Sequence, residues 1–371
     1  MLYFGGMIRK LLPLLLLVTA CEKSSNTGGS PAGSASYTAI TFAGSTQVSA
    51  NPRYWPTVAA YGDKFLIAGG NNANDINFPD SVYVYDTTTR SWTGAVLATD
   101  HLIGAAIGGG GKILIAGGQA ADQTSLSSVD IFDVASGSWS TSSLSVARSW
   151  LVGASTGNFV VFAGGYDGTI VSSPAVDIYN TGTGQWSTAA LSVGRQEFAG
   201  AGAGTKILFA GGSVLGVPED TMTAIVDIYD TQSNRWSLSR LSVARQDLVA
   251  AVSGTKIVFA GGLTQDNKYS DAMDIYDTQT GTWSTATLPE PVSYSGAVGL
   301  GNLVLFGGGQ DNNGFHPTVD AYNLATGQWV NPASLIMQGP VHAAGSGRYA
   351  LFSGTDGRAT DQLIAQWYIA K

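Results

Sequence analysis

Short apolar runs recur along this chain, separated by turn-forming residues. The runs are five to seven residues long and rich in Val, Ile, Phe and Tyr. The most regular end in a glycine pair, as in KILFAGG (206–212) and its near copy KIVFAGG (256–262). Runs of this length bounded by Gly, Asn, Asp and Ser are typical of β-strands. No long stretch has helical periodicity, so the pattern predicts an all-β protein.

The glycine pairs are spaced at a nearly constant interval. Their first glycines stand at positions 69, 117, 164, 211, 261 and 307, and a degenerate seventh copy, YALFSG, ends at Gly354. Steps near fifty residues indicate a repeat architecture. Within each repeat the pair is followed by a variable loop, an alternating run such as VDIYD, a tight turn and a tryptophan. We interpret this order as four strands, a to d, with the pair after strand b and the tryptophan in strand d.

Sheets of this kind are expected to stack, because a single one cannot bury both faces, and radial stacking around a channel produces a β-propeller. The double glycine after an apolar strand, the Tyr in the next strand and the Trp beyond a tight turn resemble kelch repeats. The resemblance extends from Tyr37 to Lys371 and, with seven repeats, implies a seven-bladed kelch-type β-propeller over residues 37–371. The Tyr and Trp side chains would then pack between blades.

The last repeat is incomplete, because the sequence stops after strand c, predicted at 363–369, with no strand d. Near the start, YTAITFA (37–43) alternates like a strand but has no preceding a, b or c strands. We therefore predict that this N-terminal strand closes the last blade and removes its exposed edge.

Charge and composition narrow the function classes. The formal net charge is −8 and only 12% of residues are charged, so the chain has no basic face for nucleic acid. A kelch propeller resembling galactose oxidase would need a copper site with a tyrosine crosslinked to cysteine, but Cys21 is the only cysteine. The histidines, His101, His316 and His342, are scattered over different repeats. We expect no metal and no cofactor, and we expect a monomer.

The N-terminus predicts export. Arg9 and Lys10 precede an apolar run at 11–18 that is too short to span a bilayer. The ending VTAC resembles the bacterial lipobox, which implies a lipoprotein signal peptide (1–20), lipidation at Cys21 and a Ser/Gly-rich tether (21–36). The alternative is a simple signal peptide with an incidental cysteine, and Met7 is a second candidate start. We expect an exported bacterial lipoprotein at the outer membrane or cell surface, with the periplasmic side as the alternative.

One position keeps a basic residue through five repeats. Sixteen residues before the first glycine stand Arg53, His101, Arg148, Arg195 and Arg245, and Pro291 and Met337 occupy this place in the last two repeats. The position opens strand a, the innermost strand, so these side chains are candidates for an arc of ligand-binding groups at a channel mouth. The alternative is a structural role, in which the basic group donates hydrogen bonds to carbonyls of the adjacent blade.

Connections d-to-a and b-to-c should emerge on the same face of a propeller, and the b-to-c connections are longer and more varied. Variable loops on a rigid scaffold are where binding usually resides, and the resemblance to kelch propellers implies partner binding at this face. The further candidate ligand-binding residues are Tyr54, Trp55, Asn71, Trp150, Tyr166, Asp167, Gln196, Glu197, Gln246, Asp247 and Gln310.

Three function classes follow. The favoured hypothesis is a lipid-anchored recognition module of the cell envelope that binds a glycan or a protein partner. The second is a carbohydrate-active enzyme resembling the periplasmic kelch epimerases that interconvert sialic acid anomers. In that case Arg195 with Glu197, or Arg245 with Asp247, would hold a substrate carboxylate and move a proton. The third is a purely structural envelope protein.

Overall fold

The chain folds into four-stranded antiparallel sheets. The structure is a computed structural model that describes residues 36–49, 56–69, 81–99, 101–102, 104–120, 122–169, 171–215, 221–294, 296–335, 337, 341–355 and 362–371. Within these residues there are seven four-stranded sheets, two two-stranded hairpins and no helix. The predicted signal peptide, Cys21 and the tether up to residue 35 lie outside the described residues.

Each four-stranded sheet is one blade, and in blades 1 to 6 the strands a to d follow one another in the chain. The first strand of the chain, β1 (Ile40–Ser49), belongs to the last blade. Blade 1 contains β2 (Thr57–Tyr61), β3 (Lys64–Ala68), β4 (Ser81–Asp86) and β5 (Ser91–Val96). Blade 2 contains β6 (Ala105–Gly109), β7 (Lys112–Ala116), β8 (Ser128–Asp133) and β9 (Trp139–Ser143). Blade 3 contains β10 (Val152–Thr156), β11 (Phe159–Ala163), β12 (Ala175–Asn180) and β13 (Gln185–Ala190).

The remaining blades have the same order, and two of them carry a small hairpin between strands b and c. Blade 4 contains β14 (Ala199–Ala203), β15 (Lys206–Ala210), the hairpin β16 (Ser213–Val214) and β17 (Thr221–Met222), β18 (Ile225–Asp230) and β19 (Arg235–Arg240). Blade 5 contains β20 (Val249–Ser253), β21 (Lys256–Ala260), β22 (Ala272–Asp277) and β23 (Thr282–Thr287). Blade 6 contains β24 (Gly296–Leu300), β25 (Leu303–Gly307), the hairpin β26 (Gln310–Asp311) and β27 (Gly314–Phe315), β28 (Thr318–Asn323) and β29 (Gln328–Ser334). Blade 7 contains β30 (His342–Ser346), β31 (Tyr349–Thr355), β32 (Leu363–Ala370) and β1.

The innermost strands form a closed ring. Strand a of each blade contacts strand a of the next, from β2 through β6, β10, β14, β20, β24 and β30 back to β2. Space in this ring is tight, because a Cβ added to Gly202 would lie 2.3 Å from the carbonyl oxygen of Ser155 in the neighbouring blade. Small residues in strand a, as in AGAGA of β14, therefore permit the close approach of inner strands.

The predicted closure of the last blade is confirmed. Strand β1 pairs antiparallel with β32, and the sheet order is β1, β32, β31, β30. The strand is Ile40–Ser49 rather than 37–43, and Tyr37 precedes it and accepts a hydrogen bond from Asn302 Nδ2 at 2.9 Å. The two ends of the sequence thus share one sheet, which closes the ring.

Tryptophans of strand d connect neighbouring blades, as the repeats predict. Trp283 Nε1 donates to Ser239 Oγ of the preceding blade at 2.8 Å. Trp186 packs on Tyr179 of its own blade, with ring centroids 4.8 Å apart. Each tryptophan therefore covers the apolar face of a strand c and contributes to packing at the rim.

The glycine pairs have a conformational reason. Gly164 and Gly165 both have positive φ, 61° and 97°, and a Cβ on Gly165 would lie 2.3 Å from a carbonyl oxygen of the d-to-a connection. A side chain at this position would be strained by the positive φ and would clash with that oxygen, so the position requires glycine.

In blade 6 the repeat register predicted from the sequence is wrong by one residue. There Gly307 ends β25 and the pair with positive φ is Gly308 and Gly309. The residue of blade 6 that corresponds to the basic position is accordingly Val292, not Pro291. Its carbonyl accepts from Gly262 N, as that of Arg245 accepts from Gly212 N.

Candidate functional site

The d-to-a and b-to-c connections meet on one face of the propeller, as predicted. Ser149 and Tyr166 exchange backbone hydrogen bonds of 2.9 and 2.8 Å, one from each connection of blade 3. Equivalent bridges occur in blades 2, 4, 5 and 6. We call this side the loop face. We define the mouth as the surface on this face where the bridges surround the start of strand a. It comprises residues 149–150, 166–167, 196–197, 213, 246–247, 263, 293 and 310.

The basic residues before strand a are buried in ion pairs. Arg195 Nη2 lies 2.6 Å from Asp227 Oδ2, and neither side chain is exposed by more than 3%. The other carboxylate oxygen of Asp227 accepts from Ser192 N at 2.9 Å. Burial lowers the pKa of Arg195, and the charge of Asp227 opposes this. The pair joins the d-to-a connection to strand c of the same blade. The equivalent pairs are His101 with Asp130, Arg148 with Asp177 and Arg245 with Asp274.

These positions correct the binding role considered for the basic side chains. His101, Arg148, Arg195 and Arg245 have between 0 and 2% of their surface exposed, so they cannot touch a ligand in this conformation. Their role is the structural one, although the carbonyls they meet belong to their own blade. Arg245, for example, donates to the carbonyl of Ala272 at 3.0 Å. The sequence contained the signal, because an aspartate follows each basic residue by 29 positions in blades 2, 3 and 5 and by 32 in blade 4.

Three residues beside the buried pairs have a strained backbone. Trp150, Glu197 and Asp247 each stand two residues after the basic residue, and their φ angles are 62°, 57° and 53°. A left-handed conformation costs an L-residue roughly 1 to 2 kcal/mol, and such strain clusters at functional sites. Trp150 and Glu197 are half-buried at the mouth, whereas Asp247 is only 4% exposed.

Glu197 and Asp247 are brought together from neighbouring blades. The backbone N–H of Asp247 donates to the carbonyl of Glu197 at 2.9 Å. Burial, and then the charge of Glu197, raise the pKa of Asp247 well above its ordinary value. Within the described residues Asp247 Oδ1 has no hydrogen-bond partner. Glu197 Oε2 accepts from Ser213 Oγ at 3.1 Å. A buried carboxyl group with a raised pKa thus lies beneath the mouth, and the half-buried Glu197 is the member of the pair that a ligand can reach.

The other mouth candidates are partly engaged in the loops. Asp167 accepts from Thr169 N and Oγ1 at 3.1 and 2.7 Å, so its carboxylate stabilises its own loop. Gln310 Oε1 accepts from Tyr269 OH at 3.4 Å across two blades. Tyr166, Gln196 and Gln246 are half-buried members of the bridges. The remaining candidates, Arg53, Tyr54, Trp55 and Asn71, lie outside the described residues.

Blade 6 contains a group of titratable side chains that sequence reasoning missed. With Val292 in place of arginine, Asp320 instead accepts from Tyr294 OH at 2.7 Å and lies 2.8 Å from His316 Nε2. Burial and the nearby carboxylates raise the pKa of Tyr294, so the phenol stays protonated. Glu290 and Asp311 also approach the imidazole. The available signal was an aspartate in strand c of a repeat that has no basic residue at the usual position.

A cleft of about 440 Å³ lies apart from the mouth, where blades 7 and 1 meet. It is lined by β1, by Trp367 of β32 and by the c-to-d turn of blade 1, including Arg90. In the part of the chain that the structure describes, no helix is long and apolar enough to cross a bilayer.

Comparison with known proteins agrees with the architecture. Residues 56–241, half of the chain, match the KLHDC2/KLHL20/DRC7 Kelch-repeats domain. A solved structure described as "Structure of YjhT" is similar to this chain, with a TM-score of 0.57 and 16% sequence identity. The match covers 76% of this chain and 98% of that one, and at this identity it shows a shared fold. No curated protein matches at a significant level. The repeats, the seven closed blades and the matched domain together show that this chain belongs to the kelch-repeat family of β-propellers.

Proposed function

We propose that this chain is an exported, lipid-anchored recognition module of the cell envelope that binds a glycan at the mouth. A kelch propeller is a protein- or ligand-binding scaffold, and the observation that carries the proposal is the strained row formed by Trp150, Glu197 and Asp247. The left-handed conformation recurs at one position of three successive blades and places an aromatic ring and a carboxylate at the mouth.

The chemistry of the mouth favours a neutral, hydroxyl-rich ligand. Gln196 and Gln246 offer amide donors and acceptors beside Glu197, and Trp150 and Tyr166 offer aromatic faces. Binding sites of this type combine apolar surface with a few placed polar groups. The three arginines that could have neutralised an acidic sugar are buried in their own ion pairs, so we no longer expect them to select anionic ligands.

The test is a glycan array probed with the full-length chain in detergent, followed by calorimetry on the best ligand. We expect neutral glycans to bind and Trp150→Ala or Glu197→Gln to weaken that binding. The matched controls are Gln279→Ala, on the c-to-d turn of blade 5, and Arg235→Ala, at the start of β19 next to the c-to-d turn of blade 4; both side chains are exposed on the opposite face. Equal losses from both faces, or binding of a protein partner alone, would contradict the proposal.

A second candidate function has a specific observation in its favour. Glu197 and Asp247 form a carboxyl pair with a raised pKa on the buried member, and such a pair can hold and transfer one proton. Interconversion of sugar anomers requires one group to remove a hydroxyl proton and one to protonate the ring oxygen. Because Arg195 and Arg245 are buried, the substrate of such an enzyme would be a neutral sugar.

Magnetisation-transfer NMR on reducing sugars tests this activity directly. We expect faster anomer exchange in the presence of the protein if the pair is catalytic, and a return to the uncatalysed rate in Glu197→Gln. If the sugar binds but the rate of anomer exchange is unchanged, the carboxyl pair is not catalytic and recognition remains the function.

A further inference from the structure

The titratable group of blade 6 is concentrated around one imidazole. His316 Nδ1 lies 3.3 Å from Asp311 Oδ2 and 3.6 Å from Glu290 Oε1, and its Nε2 lies 2.8 Å from Asp320 Oδ2. The histidine is buried, Asp311 and Asp320 are each 8% exposed, and Glu290 is the accessible member. The group is independent of the carboxyl pair at the mouth and of the function proposed for it.

Asp320 and Thr318 orient the ring of His316. The carboxylate of Asp320 and the hydroxyl of Thr318 both lie against Nε2, at 2.8 and 2.9 Å. A carboxylate at this position can accept the Nε2 proton, which would leave Nδ1 as an electron-pair donor when a metal binds. Metal-binding histidines are oriented by this arrangement. Nδ1 then faces two carboxylates, which are also electron-pair donors, so the space between the three groups is suited to a cation.

Comparison with the other blades shows an excess of negative charge. In blades 2 to 5 the strand-c aspartate is paired with a histidine or arginine. Blade 6 keeps Asp320, has Val292 at the basic position, and adds Asp311 and Glu290. Within the described residues, every ion pair of these three carboxylates involves His316. Buried carboxylates are costly unless they are paired or bind a metal, and here the buried Asp311 and Asp320 share a single imidazole with the half-exposed Glu290.

The hairpin between strands b and c holds the ligand atoms in place. Asp311 lies in β26, where its Oδ1 accepts from Asn313 N at 2.6 Å, which leaves Oδ2 directed to the imidazole. His316 follows β27, and its backbone N–H donates to the carbonyl of Gly309 at 3.0 Å. Two of the three groups are therefore fixed by backbone structure rather than by each other.

The two separations that involve the imidazole fit a tetrahedral metal. Zinc bonds of about 2.0 to 2.2 Å to nitrogen and oxygen place neighbouring ligand atoms roughly 3.3 to 3.6 Å apart at tetrahedral angles. The two distances from Nδ1 are 3.3 and 3.6 Å, and all three ligand atoms lie within 4.8 Å of one another. We propose that Glu290, Asp311 and His316 form a site for a divalent transition-metal ion of the zinc type on the loop face. Three protein ligands leave a fourth position open.

This inference revises the expectation that scattered histidines exclude a metal. The three histidines do lie in different blades, but a mixed site needs only one imidazole when carboxylates supply the other ligands. The metal would be bound in the blade that has no arginine at the basic position. Its ligands would come from the d-to-a connection and from the hairpin segment between strands b and c.

The test uses the full-length chain in detergent, stripped with EDTA, dialysed and titrated with ZnCl₂ in a calorimeter. We expect one zinc ion per chain, with X-ray absorption showing nitrogen and oxygen ligands including one imidazole. Glu290→Gln should weaken binding at least about tenfold. This side chain is half-exposed, so its replacement leaves the fold intact, and Asp311→Asn should have a similar effect.

The matched control is Asp266→Asn, which removes an exposed carboxylate from the corresponding loop of blade 5. It should bind zinc like the parent. The proposal is overturned if the folded parent binds no zinc at 100 µM, if Glu290→Gln binds as tightly as the parent, or if the absorption spectrum shows sulfur ligation from Cys21.

Discussion

The backbone N–H of Asp247 donates to the carbonyl oxygen of Glu197 at 2.9 Å, so two left-handed residues of neighbouring blades are hydrogen-bonded to each other. This contact holds two carboxyl groups close together at the mouth. It explains why the pKa of the buried Asp247 is raised by both its burial and the charge of Glu197.

The first prediction concerns pH. A carboxyl group whose folded-state pKa is raised binds its proton more tightly in the folded protein, so stability falls as pH rises from about 4 to the folded pKa. Replacement of Asp247 by Asn should remove this loss, which has a slope of up to about 1.4 kcal/mol per pH unit. Melting temperatures measured between pH 4 and 8 should therefore fall less steeply in Asp247→Asn. Glu197→Gln should reduce the slope, and parallel curves for all three proteins would contradict the assignment.

Aromatic side chains at the mouth give the second prediction. Trp150→Ala and Tyr166→Ala should each weaken glycan binding by about 1 to 3 kcal/mol, the range of hot-spot residues. Calorimetry is meaningful only for variants that melt like the parent. Trp186→Ala is the control, because this ring packs on Tyr179, and its loss should lower stability before it affects binding. Trp55 was predicted to act with Trp150 and stays a candidate for the same experiment.

A third prediction separates buried from exposed ion pairs within blade 4. Removing one member of the buried pair, as in Asp227→Asn, should destabilise the fold by about 3 to 5 kcal/mol, because Arg195 would be left as an uncompensated buried charge. Lys206→Ala removes a partly exposed pair with Asp230 and should cost no more than about 1 kcal/mol. Urea denaturation measures both. Similar effects from the two substitutions would show that the buried pair is not structural.

Closure by β1 leads to the fourth prediction. An internal deletion of residues 37–49 removes the strand that pairs with β32 and exposes the edge of blade 7. We expect a melting temperature lower by several degrees, or aggregation, in thermal scanning with light scattering. A deletion of equal length in the predicted tether, residues 23–35, should leave the melting curve unchanged. A stable, monomeric 37–49 deletion would show that the ring does not need this strand.

The fifth prediction tests the anchor. Cys21→Ala should release the protein from membranes and leave the propeller folded, since the described core lies entirely after residue 36. Fractionation with a salt wash, combined with a thermal melt of the soluble fraction, measures both properties. Continued sedimentation of the variant with membranes would show that attachment does not depend on this cysteine.

The repeat pattern was enough to predict the fold because each repeat encodes one blade. Strand order, the glycine pairs and the closing strand all follow from the alternation of apolar runs and turns. The register error at Gly307 arose because three successive glycines in blade 6 offer two equivalent pairs, and only the φ angles separate them.

The candidate site was harder to predict. The repeat spacing showed that a basic residue recurs at the position of Arg195. Whether its guanidinium faces solvent or Asp227 depends on contacts between strand c and a connection 32 residues away. Likewise, nothing local to Asp247 indicates burial, because its neighbour Gln246 is half-buried and polar. The group around His316 brings together the d-to-a connection, the hairpin and strand c, so its members are close only after the blade has folded.

The direction of β1 sets the face from which the chain enters the propeller. Ile40, at the start of the strand, pairs with Ala370, and Ser49 at its end pairs with Leu363. Since β32 runs from the loop face to the opposite face, the chain enters β1 from the side that carries the a-to-b and c-to-d turns. On our proposal that Cys21 carries a lipid, the chain leading from the membrane would therefore join the propeller on the face opposite the mouth and Glu290.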